Sequence, residues 1–148
     1  MAHRATDPFA SYNFLVESAG LIQAGFSECT GLNSETNIVE YREGADDSTV
    51  RKLTGLAKFG NVTLKRGVAV GTQMFEWRRM VTEPSDDAPR EPRRNISILL
   101  LDEKRAEQVR YNLKNAWPSK WTGPDFKAAA NEIAIEQLEI CHEGVTIG

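Results

Sequence analysis

The amino-acid sequence predicts a mainly β protein, a β-barrel or two-sheet sandwich with one flanking α-helix. Three observations lead there. Apolar and polar residues alternate with period two along most of the chain. A single segment carries its large apolar side chains at helical spacing instead. No linker, repeat or low-complexity run divides the 148 residues, so one domain over 1–148 fits a chain of this size.

The elements follow in order. Tyr12, Phe14 and Val16 alternate with Asn13, Leu15 and Glu17, a first strand that Gly20 ends. Residues 21–28 form the return strand. A third covers 36–42, with Ile38 on one face and Val39 and Tyr41 on the other. A long polar, glycine-containing loop follows at 43–58. The fourth strand, 61–66, alternates Val62 and Leu64 with Thr63 and Lys65. The helix runs from Gln73 to Glu83: Met74, Trp77, Met80 and Val81 share about a third of the wheel, and Phe75 lies off that arc. Thr72 is its cap, Glu76 suits the first turn and Pro84 marks its end. Residues 83–94, with Pro84, Pro89 and Pro92, read as a loop. The strand at 95–101 is apolar on both faces, Ile96, Ile98 and Leu100 against Leu99 and Leu101, as a strand covered on both sides should be. Another at 108–115 sets Val109, Tyr111 and Leu113 against Arg110, Asn112 and Lys114. The last, 132–142, carries Ile133 and Ile135, then Leu138 and Ile140. Its phase slips at Glu136 and Gln137, which suggests a bulge.

Composition narrows the function. Hydrophobic residues make up 41% and charged residues 26%, ordinary for a globular domain. A net charge of -3 argues against a protein devoted to gripping nucleic acid. The N-terminus has no apolar signal core, and no run reaches the length of a membrane helix, so synthesis in the cytosol without a cleaved export signal is expected. Cys29 and Cys141 fit small core residues in a reducing compartment better than a disulfide.

No catalytic pattern emerges. Gly67 and Gly71 precede the helix without a phosphate-binding spacing, so no nucleotide cofactor is expected. The only histidines are His3 and His142, and Cys141 and His142 point to opposite faces of a strand, so no metal is expected. Asp86 and Asp87 read as solvated loop charges, and no Ser sits in a nucleophile turn. Trp117-Pro118-Ser119-Lys120-Trp121 has two readings. Its indoles stack on a sugar or base, or they fill the core or a subunit contact from a rigid crossing; residue type favours the second.

The chain resembles, over nearly its whole length, the tube proteins of contractile phage tails and of related extracellular contractile injection particles. The resemblance is carried by Asp7-Pro8-Phe9, by Ala24-Gly25-Phe26-Ser27-Glu28 with Gly31-Leu32, and by Glu40-Tyr41-Arg42-Glu43-Gly44. It continues through Arg51-Lys52-Leu53-Thr54-Gly55-Leu56, Val62-Thr63-Leu64-Lys65-Arg66-Gly67 and Phe75-Glu76-Trp77. Ile98-Leu99-Leu100-Leu101-Asp102-Glu103, Ala116-Trp117-Pro118-Ser119-Lys120-Trp121, and Asn131-Glu132 through His142-Glu143-Gly144 complete it.

The resemblance implies a non-enzymatic subunit that forms hexameric rings stacked head-to-tail into a hollow tube. Its implied partners are a sheath protein, baseplate and tube-terminating proteins, and protein or DNA cargo in the lumen, with no membrane insertion by the monomer. A secreted ring of the type VI kind carrying effectors, or a specialised tube-end subunit, shares the same implied fold. The 43–58 segment suits ring-to-ring contact: Glu43, Asp46 and Asp47 precede Arg51, Lys52 and Lys58, so opposite signs are separated along it.

Overall fold

The computed structural model describes residues 13–18, 21–23, 26–42, 44, 49–68, 73–83, 92–129 and 133–148. In chain order the elements are β1 (Phe14–Ser18), β2 (Leu21–Gln23), β3 (Phe26–Thr30), β4 (Glu35–Tyr41), β5 (Arg51–Lys58), β6 (Val62–Gly67), α1 (Gln73–Thr82), β7 (Arg94–Leu101), β8 (Glu107–Thr122), β9 (Ile135–Cys141) and β10 (Val145–Ile147). Expectations for Tyr12, Gly20, Thr72, Pro84 and Pro89 lie outside the described residues.

The strands order β2-β1-β7-β8-β9-β6-β3, with β10 also on β8, and every pairing is antiparallel. The sixteen-residue β8 belongs to two sheets. Its first part pairs with β7 as far as Ala116, and its second pairs with β9 from Trp117 onward. Between them Asn115 takes φ 50, a left-handed turn of the backbone that Asn tolerates. The register then shifts between Pro118 and Lys120. Two layers result: β2, β1, β7, β10 and the start of β8 in the first, and β3, β6, β9 and the end of β8 in the second. Among the described residues the layers form a sandwich and do not close into a barrel, because the path ends at β2 and β3.

The period-two pattern sets the core. Val16, Ile96, Ile98 and Leu113 of the first sheet meet Val62, Leu64, Leu138 and Ile140 of the second. Met74 and Trp77 of α1 complete the same cluster. Trp77 donates its indole N–H to the Pro92 carbonyl at 2.6 Å, and Arg78 donates to the Pro118 carbonyl at 3.0 Å, so α1 is tied down at both flanks. Phe75, off the helical arc, is exposed and meets Trp121 edge-on at 5.0 Å. As expected, β7 is buried on both faces. Outside the core face, the Ser97 hydroxyl donates to the Asn112 amide oxygen at 2.7 Å, and Arg110 bridges Glu17 and Glu107. The Arg110 guanidinium, by its hydrogen bond, holds the Glu107 carboxyl below its ordinary range.

Four sequence expectations change. The second half of the 43–58 loop is a strand, β5, paired with β4. The single return strand over 21–28 is two strands, β2 on β1 and β3 on β6, so the chain changes sheet there. The bulge at Glu136 and Gln137 is absent: β9 stays in register with β6 from Ile135 to Ile140. Glu136 instead takes an inward place in phase with Leu138 and Ile140, buried, with its carboxylate 2.7 Å from Arg66 Nε and 3.3 Å from the Trp121 indole nitrogen. A buried ion pair therefore mimicked the sequence signature of a bulge. Finally, the Trp117 to Trp121 cluster is strand and not a crossing between elements.

Candidate assembly surface

β4 and β5 pair only with each other, a two-stranded sheet apart from the sandwich. Antiparallel register sets Val39 against Leu53 and Tyr41 against Arg51 on one face, and Ile38 against Thr54 and Glu40 against Lys52 on the other. Every residue of the pair except Gly55 is exposed. That includes Ile38, Val39, Tyr41 and Leu53, and Leu56 at 79%. Both outer edges also leave backbone N–H and C=O groups unpaired within the sheet.

The base of this hairpin is held firmly. Gly31 has φ 98, and a Cβ there would come 2.1 Å from the Asn61 carbonyl oxygen, so only glycine fits. Asn33 Oδ1 accepts the Gly60 N–H at 2.8 Å. A Cβ on Gly60 would strike that same amide. The His142 ring lies between the carbonyl oxygens of Gly60, at 3.0 Å, and Gly144, at 3.2 Å, and packs beside Phe59. Asn61 donates to Glu139 at 2.9 Å. A mobile-looking polar stretch of sequence is thus mounted on a fixed socket of side chains.

Of the predicted contact residues, Arg51, Lys52 and Lys58 stand on β5, while Glu43, Asp46 and Asp47 lie outside the described residues. The structure does not gather the three cations. Arg51 and Lys52 sit at the distal end, and Lys58 sits at the base, about 20 Å away along the strand, within 3.8 Å of Glu35. Sequence reasoning picked the charges and missed the apolar side chains between them. One signal was present: Ile38 opposes Val39 and Tyr41 in phase, so β4, like β7, is apolar on both faces.

The end of the second sheet away from the hairpin is also apolar. There Gly67 pairs with Ile135 and the Val68 N–H bonds the Ala134 carbonyl at 2.9 Å. Beside them lies an open groove of ≈ 590 Å³ lined by Asp125, Phe126, Lys127, Ala128, Ile133, Ala134 and Ile135. Phe126 is 89% exposed and Ile133 80%.

Among the described residues no three of His, Cys, Asp and Glu cluster as metal ligands. No helix among them is long and apolar enough to cross a membrane. The two indoles do not share a stacking platform: Trp121 packs on the core, and Trp117 lies with Val81, Pro92 and Arg93. Cys29 and Cys141 are free thiols on β3 and β9, and burial pushes the Cys29 thiol up to about 11.

A chain from the cryo-EM structure of the anti-feeding prophage tube-terminating cap is 29% identical, with TM-score 0.83 over 100% of this chain and 95% of that one. A chain of the PVC extracellular contractile injection system, from its sheath–tube complex in the extended state, is 25% identical with TM-score 0.83, covering 97% and 93%. One from the PVC sheath/tube terminator is 26% identical with TM-score 0.82, covering 98% and 99%. A search of curated protein sequences finds no significant match. The model of the T4-like virus tail tube protein gp19 family matches residues 10–146. Matched along almost all of its length, the chain belongs to the tail tube protein family of T4-like viruses.

Proposed function

We propose that this chain is a structural, non-catalytic subunit of the inner tube of a contractile injection particle, six copies closing each ring and rings stacking head-to-tail through the β4–β5 hairpin. The observation that carries it is the hairpin itself: firmly mounted, exposed on both faces, with Val39, Tyr41 and Leu53 on one and Ile38 on the other. A lone hairpin of this kind is marginal in water, so its apolar faces fit a partner better than solvent. Ring closure follows from the sandwich. Its path ends at strands with unpaired edges, and neighbouring copies that continue those edges remove them.

The relatives' settings support the remaining partners: a sheath around the tube, as in the PVC sheath–tube complex, and a terminating cap, as in the anti-feeding prophage. A baseplate at the other end and cargo in the lumen complete the proposal. The charged residues on the hairpin, Arg51, Lys52 and Lys58, with Glu43, Asp46 and Asp47, add complementarity between rings. Each exposed pair contributes about 0–1 kcal/mol, so assembly weakens as salt rises.

Negative-stain microscopy of the purified chain tests the reading. Long hollow tubes are expected, and deletion of residues 46–54 leaves folded rings that do not stack. Long tubes from the deletion would remove the hairpin from its role. Isolated rings from the intact chain at every concentration would favour a secreted ring carrier instead.

A further inference from the structure

Two apolar surfaces of this chain lie at opposite ends of one sheet. In the second sheet Val62 pairs with Ile140 at one end and Gly67 with Ile135 at the other. The hairpin leaves from the first end, because Lys58 of β5 runs through Phe59, Gly60 and Asn61 directly into Val62. The groove opens at the second end, where Ile133 and Ile135 lead into β9 and Val68 leaves β6. One surface projects and the other is recessed. β6 separates them by about 20 Å, and the eight residues of β5 give the hairpin a reach of about 26 Å.

We infer that the groove lined by Phe126, Ile133 and Ile135 is the socket for the β4–β5 hairpin of a second copy of this chain. The inference rests on the stacking role proposed above and names the surface that receives it. Within one molecule the two features do not meet: no hairpin residue lines the groove, and β4 and β5 pair only with each other. Their meeting between copies is heterologous, and such a contact repeats along a line instead of closing on itself. The chemistry matches on both sides. Val39, Tyr41 and Leu53 share one hairpin face, and the groove offers Phe126, Ile133 and Ile135 with Asp125 and Lys127 also in its lining. Arg51, on the same hairpin face as Val39 and Leu53, can meet Asp125 as an oppositely charged neighbour. A strongly exposed Phe flanked by an exposed Ile is the kind of anchor that dominates protein contacts once covered. Alternative occupants, such as a sheath segment or a lateral neighbour in the ring, are separated by the test.

The experiment compares the unsubstituted full-length chain with Phe126→Asp and Ile133→Ser, reading folding by thermal melts and stacking by the sedimentable tube fraction. Both positions are exposed, so the melts should stay unchanged while the tube fraction falls at least about tenfold. A second measurement does not depend on those variants. In a Cys29→Ser, Cys141→Ser background, the Leu53→Cys, Phe126→Cys chain is assembled and mildly oxidised. Disulfide-linked ladders of copies are expected, and neither single-cysteine chain should give more than dimers. Tubes of normal length from Phe126→Asp, together with an unlinked Leu53→Cys, Phe126→Cys assembly, would overturn the socket and leave hairpin stacking standing. Normal rings that fail to stack, without ladders in the assembled double-cysteine chain, would assign the groove to another occupant. Absence of any tube from the unsubstituted chain would remove the stacking role itself, and the socket with it.

Discussion

In the second sheet, Val62 and Leu64 of β6 face Ile140 and Leu138 of β9, and all four are buried; in the hairpin, Val39 faces Leu53 and both remain about half exposed. The strand geometry and the cross-strand pairing are of the same kind in both places. The second layer makes the difference. Over β6 and β9 lie the first sheet and α1, whereas nothing among the described residues covers β4 and β5. Cross-strand pairs alone contribute a few tenths to about 1 kcal/mol, and removal from water supplies the rest. The sandwich therefore holds most of the folding free energy, and the hairpin holds apolar surface that one copy leaves exposed.

The sharpest way to break that division is to truncate one residue in each region. Leu138→Ala is expected to cost about 2–5 kcal/mol in urea unfolding of the isolated subunit. Leu53→Ala should cost less than about 0.5 kcal/mol in the same assay. Equal costs would show that the hairpin is part of the core after all.

The next effect concerns charge inside the sandwich. Arg66→Ala leaves the buried Glu136 carboxylate with only the Trp121 indole, and about 3 kcal/mol of stability should go. Replacing both partners, Arg66→Met with Glu136→Leu, should recover most of that loss. A double variant no better than the single one would mean that Glu136 acts through something other than the pair.

The mount between the two regions gives a smaller signal. Gly31→Ala forces a side chain against the Asn61 carbonyl at a positive φ, and about 1–3 kcal/mol is expected. Tube formation should suffer in the surviving folded fraction, since the hairpin base must shift. Unaltered melting of Gly31→Ala would show that the base yields easily.

The smallest effect is chemical. With the Cys29 thiol near 11 against an ordinary 9.0, its thiolate fraction at pH 8 is about a hundredfold lower. Greater nucleophilicity returns about tenfold of that, so in a Cys141→Ser chain labelling should be about tenfold slower than for a free thiol. The sign carries to stability: protonated Cys29 favours the fold, and this contribution fades as pH rises from 9.0 towards 11. Labelling at the free-thiol rate would mean that β3 opens readily from β6.

Most of the sandwich was legible in the sequence because one face of each strand is dry. Val62 and Leu64, Ile96 and Ile98, and Met74 with Trp77 all advertise a core by their spacing. β5 was not legible for the same physical reason. Arg51, Lys52, Leu53, Thr54, Gly55 and Leu56 have no dry face within one copy, so no alternation marks them. Glu136 misled because a paired carboxylate can stand where an aliphatic residue is expected. The proposed assembly residues were half legible: charge drew attention to Arg51 and Lys52, but Phe126 sits in a stretch without periodicity, and Ile133 read as one more strand residue.

The long β8 has a mechanical consequence. Sheets that touch only through side chains slide past each other when sheared, since such contacts are short-ranged and individually weak. Here one unbroken polypeptide runs from the first layer through Asn115 into the second. A pull on either layer is passed to the other through peptide bonds, so a subunit thrust lengthwise should travel as one rigid piece.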